Sequence, residues 1–123
     1  MLEMSNEIAV KKRTMNVIKD VVHKAEAFVN DTVAGKNESK ISKALNESVE
    51  QLHAFVEFLR KSRAPWVDKV DEVLANAKEL SKRSGFWGRP KFLNVPQHVE
   101  QIKAIFVTLR SAARSVYNDV AST

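Results

Sequence analysis

The chain has no cysteine at all, and only 3 glycines and 3 prolines in 123 residues. Without cysteine there is no disulfide framework, no thiolate metal site and no cysteine nucleophile. Too few glycines and prolines are present to supply the many tight turns of a β-sandwich or barrel. Long apolar runs are missing too. No stretch approaches the roughly 20 residues of a membrane span, and the first residues, MLEMSNEIAVKKR, lack the apolar core of a secretory signal. A membrane partner is therefore not expected, and the cytoplasm is the expected compartment.

What remains is an even mixture of 28% charged and 44% hydrophobic residues, which is enough apolar material for one folded core and too much for a disordered chain. The apolar residues fall at helical spacing. In the last segment Val99, Ile102, Phe106, Leu109, Ala113, Val116 and Val120 step by three and four. In the first, Met15, Ile18, Val22, Ala25, Val29 and Val33 form one stripe, and Val10, Val17, Val21 and Phe28 a second beside it. Between them lie Ile41, Leu45, Ser48, Leu52, Phe55 and Leu59, flanked by Val49 and Val56, then Val67, Val70, Leu74, Ala77 and Ser81.

Punctuation agrees with this division. Ser5 suits an N-cap, Gly35 and Gly85 suit helix stops, and Pro65 and Pro96 suit first helical turns. The expectation is one all-α domain over residues 1–123, with helices at about 5–34, 39–62, 65–83 and 95–120. Short joints between successive helices favour antiparallel neighbours, and hence an antiparallel up-down-up-down four-helix bundle.

No catalytic signature accompanies this pattern. Glu50 and His53 have the Glu-x-x-His spacing of carboxylate-bridged dimetal bundles, but one copy is a weak signal. His23 and Glu26 pair in the reverse order, and His98 stands apart. The serines lack a nucleophile elbow or a lysine partner, and Gly85 and Gly88 lack the spacing of a phosphate loop. No metal, cofactor or enzymatic activity is expected.

Two features suggest binding. The segment 84–94 gathers Phe86, Trp87 and Phe92 with Arg89 and Lys91 between two glycines and a proline. Read as a loop, it either folds back as a lid over a short third helix or presents Trp87 to a partner, with Arg89 and Lys91 attracting carboxylate or phosphate groups. Phe58 and Val107 lie off the apolar seams and are candidate anchors for a partner or for a second copy of the chain.

The net charge of +5 is moderate, so its placement matters more than its sum. An antiparallel arrangement brings Lys11, Lys12 and Arg13 toward the end that holds Arg60, Lys61 and Arg63, with Arg110 and Arg114 pointing the same way. Glu7, Glu57, Asp68 and Asp119 are placed to neutralise part of that cluster. The leading expectation is a non-enzymatic binding or scaffolding module. It would recognise another protein, or itself as a dimer, through the aromatic-basic loop and an outer helix face. The alternative is nonspecific binding of nucleic acid or another polyanion through the basic end.

Overall fold

The computed structural model describes the backbone of residues 2–36, 39–87 and 96–122, with side chains over 7–36, 39–83 and 97–122. Among these described residues the chain is all-helical, with four helices and no strand. They are α1 (Leu2–Val33), α2 (Ser39–Lys61), α3 (Val67–Trp87) and α4 (Pro96–Ser122). No described helix is long and apolar enough to cross a membrane.

Each helix packs on the next in chain order, and α1 also packs on α4 and, less extensively, on α3. In α2 the apolar stripe goes inward as spaced: Leu45, Ser48, Val49, Leu52, Phe55, Val56 and Leu59 are all buried. In α4, Ile102, Phe106, Leu109, Ala113, Val116 and Val120 are buried, joined by Ala112. Each large side chain removed from water in this way contributes about 1.5–3 kcal/mol before chain entropy is subtracted.

The buried face of α1 takes Ile18, Ala25 and Val29 from one stripe of its sequence and Val21 and Phe28 from the other. It runs between them, through Thr14, Ile18, Val21, Ala25, Phe28 and Thr32. Met15, Val17 and Val22 flank it half-buried, and Val33, expected in the seam, is 53% exposed. The threonines occupy core positions because each satisfies its own hydroxyl. Thr14 donates to the Val10 carbonyl at 2.7 Å and Thr32 to the Phe28 carbonyl at 2.9 Å, leaving a methyl group to pack. The third helix likewise buries Val73 and Leu80 in addition to Val70, Leu74 and Ala77.

Three helix ends differ from expectation. α1 already runs from Leu2, so Ser5 lies within the helix and is not its N-cap, a position that needs non-helical backbone. Gly85 does not stop α3, which continues to Trp87. Glycine permits a left-handed stop without compelling one, and within a helix it costs only about 0.5–1 kcal/mol relative to alanine. Pro65 lies in the turn ahead of α3 and not within the helix. The Val67 amide bonds back to the Ala64 carbonyl at 3.2 Å, and regular helix follows from Val67.

Polar contacts tie the helices at specific levels. Ser48 donates to the Asp20 carboxylate at 2.7 Å between α2 and α1, and Ser81 donates to Asn46 between α3 and α2. Arg60 reaches Asp71 at 3.0 Å, Lys69 reaches Asp119 at 3.3 Å, and Arg83 donates to Gln101 at 3.0 Å.

Candidate functional site

The joint between α2 and α3 builds one wall of a recess on the described surface. At the end of α2 the amide of Arg63 bonds to the Arg60 carbonyl at 3.2 Å, and that of Ala64 to the Leu59 carbonyl at 3.1 Å. This is the paired closure of a Schellman cap, which requires its penultimate residue to be left-handed. That residue is Arg63, with φ of 56°, the one non-glycine residue of positive φ among the described residues. Buried Ala64 then packs inward beside Leu59, and the turn delivers Trp66 into the core, where it is 2% exposed.

The Trp66 indole N–H donates to the Thr14 hydroxyl at 3.3 Å, and that hydroxyl donates onward to Val10. A buried indole N–H needs such an acceptor, and Thr14 is fully buried beside it. Neither Trp66 nor Thr14 stands out when apolar periodicity alone is followed. The available signal is the gap in the Val10, Val17, Val21 stripe, which Thr14 fills.

Above Trp66 lies a groove of about 670 Å³ lined by Glu7, Val10 and Arg13 of α1 and by Phe58, Ser62, Arg63 and Pro65. A second recess of about 500 Å³ continues it along the same two helices, past Val17, Gln51, Ala54 and Phe55. Arg13 and Phe58 line both. Phe58 is 45% exposed and stacks on buried Phe55, with centroids 5.8 Å apart and planes at 23°. The Arg13 guanidinium lies 5.5 Å from the Phe55 centroid, a cation–π contact worth about 0.5–1 kcal/mol at an exposed site.

The basic residues of the sequence are spread over this surface in different circumstances. Lys11 lies 3.8 Å from Glu7, and Arg60 lies 3.3 Å from Glu57 as well as against Asp71. Lys12 and Lys61 are exposed, and Arg60 and Lys61 also complement the carbonyl end of α2. Arg13 and Arg63 line the α1–α2 groove. On α4, Arg110 lies 5.8 Å over Phe106, and Arg110 and Arg114 flank Val107 around a recess of about 240 Å³.

Val107 is 65% exposed and also lines a recess of about 640 Å³ with Glu72 and Asn76 of α3. The two off-seam hydrophobics therefore line separate recesses, Phe58 between α1 and α2 and Val107 between α3 and α4. Phe86 and Trp87 belong to the last turn of α3, with side chains outside the described residues, and Arg89 and Lys91 lie outside them altogether.

His23 and His53 are exposed, and among the described residues no three His, Cys, Asp or Glu side chains converge as a metal site would need. Half-buried Tyr117 has its phenol raised above the ordinary 10.0 by desolvation. Comparison with protein-family models finds none that matches, and comparisons with curated proteins and with solved structures likewise return no match.

Proposed function

We propose that the chain is a single-domain, antiparallel up-down-up-down four-helix bundle. We propose further that it acts in the cytoplasm as a non-enzymatic module recognising another protein. The levels of the interhelical contacts support the alternating directions. Arg13 meets Phe55 while Asp20 meets Ser48, Asn46 meets Ser81 while Arg60 meets Asp71, and Lys69 meets Asp119 while Arg83 meets Gln101. In each pair of helices, residue numbers rise on one as they fall on the other.

The observation that carries the protein-binding reading is Phe58. A large aromatic ring 45% open to solvent, stacked on Phe55 and bordered by Arg13, has the make-up of an interface anchor: apolar area with few rotamers and a cation beside it. The aromatic-basic segment 84–94 is the second contact surface in this reading. Polyanion binding has less to draw on, because Lys11 and Arg60 already lie against carboxylates. Such exposed pairs are worth no more than about 1 kcal/mol each, yet they still dilute the positive field.

Photo-cross-linking amino acids placed at Phe58, Val107 and Trp87, with exposed Lys43 as the control position, test the reading. One recurring protein captured from positions 58 and 87, with the capture from position 87 lost in a Phe58→Asp variant, is the expected result. If that protein is a second copy of the chain, the module is a dimer. Capture no greater than at Lys43, together with nucleic-acid binding that falls steeply with salt, would replace this reading with the polyanion one.

A further inference from the structure

We propose that the groove along α1 and α2 is the docking site for an acidic amphipathic helix of the partner protein. The inference rests on the protein-binding reading and supplies its partner chemistry. Length is the first argument. The two recesses lie in succession along the same helix pair, both lined by Arg13 and Phe58, and together they follow α1 from Glu7 to Val17. Ten residues at a helical rise of 1.5 Å make about 15 Å, close to three turns of a guest helix. Val10, Phe55, Phe58 and Trp66 line it with apolar surface, which suits guest side chains recurring every three or four residues.

Charge is the second. Arg13 and Arg63 both line the groove, both are exposed, and neither has a carboxylate within ion-pair distance among the described residues. The acid at the groove mouth, Glu7, lies against Lys11 instead. Two uncompensated guanidinium groups beside an apolar floor complement Asp or Glu alternating with Leu-like residues, and guanidinium suits carboxylate because it can bind it through two N–H groups.

The third is Arg63 itself. At φ of 56° its position favours glycine, which occupies the equivalent cap of α1 at Gly35 with φ of 72°. Here the chain carries a cation at conformational cost, and that cation lies on the groove. Strained backbone that positions a functional group is a recurring property of binding sites. A phosphate chain would also meet the two arginines but would leave the apolar floor unmatched.

The test is a display selection of randomised helical peptides of about 14 residues against the full chain, counter-selected on a Phe58→Asp variant, followed by fluorescence anisotropy of the enriched peptides. The expected peptides carry Asp or Glu beside apolar residues at helical spacing. Arg13→Ala and Arg63→Gly should each weaken them by about fivefold or more, as loss of one charge contact predicts, while Arg110→Ala leaves them unchanged. Arg63→Gly should raise Tm at the same time, so that its lost binding is not misfolding.

Neutral or basic winners, indifference to Arg13→Ala and Arg63→Gly, or displacement by a single-stranded oligonucleotide with steep salt dependence would each overturn the proposal. Peptides that are enriched only when the Phe58→Asp counter-selection is omitted, and that depend on Trp87 or Val107, overturn the groove while leaving protein recognition standing. Failure to enrich any peptide also overturns it, and protein recognition is then decided by the cross-linking at Trp87.

Discussion

The ends of α1 and α2 make the same turn with opposite residues. In both, the amide after the left-handed residue bonds six residues' span back, Lys36 to the Asp31 carbonyl at 2.9 Å and Ala64 to the Leu59 carbonyl at 3.1 Å. At α1 the left-handed residue is Gly35, nothing stands within 4 Å of where a β-carbon would sit, and the flanking Ala34 and Lys36 are exposed. At α2 it is Arg63, and Ala64 and Trp66 after it are buried in the core. One end simply stops a helix. The other fixes a joint, seats Trp66, and sets a guanidinium beside an exposed phenylalanine, so the geometry that is cheap in the first is put to use in the second.

Trp66→Ala would break the second end most severely. Removing a buried Trp leaves a cavity under the joint and should cost about 3–5 kcal/mol, measured by urea unfolding. Lys36→Ala at the first end should stay within about 0.5 kcal/mol, and similar losses at both would mean the two ends are equally structural.

Thr14→Val is the subtler probe, because it keeps the shape and removes only the hydroxyl. The Trp66 indole N–H then loses its acceptor, and a loss of about 1–3 kcal/mol is expected. No loss would show that the indole finds another partner and that the joint does not depend on α1 for its polar satisfaction.

The smallest effects sharpen the comparison of the two caps. Gly35→Ala should destabilise by about 1 kcal/mol through backbone strain alone, there being no neighbour to clash with. Arg63→Gly should move stability the opposite way by up to about 1 kcal/mol. If Arg63→Gly instead destabilises, its side chain is holding the fold together and is not a cation kept free for a ligand.

The four helical segments were legible because apolar spacing survives in α2 and α4 almost residue for residue, and proline marks the start of α4 and the turn ahead of α3. The centre of α1 was not. Its buried line begins and ends in threonine, which reads as polar until its hydroxyl is seen turned back on the helix's own carbonyls. Glycine misled at position 85 because permissiveness is not a stop signal. Phe58 was legible as an exposed hydrophobic by falling off the seam, and Arg13 as part of the basic run Lys11 to Arg13. Their meeting in one groove depends on how α1 and α2 pack and on the turn that brings Arg63 and Trp66 beside them, which no local pattern records.

The bond from Trp66 to Thr14 joins residues 52 apart in the chain. A helix can re-form its own hydrogen bonds after fraying, but this one exists only while α1 lies against the start of α3, with all of α2 folded between them. In native-state hydrogen exchange the indole proton of Trp66 should therefore ignore local fraying and trade with solvent only when α1 departs as a unit. A single side-chain proton thus reports the cooperativity of the whole first half of the molecule.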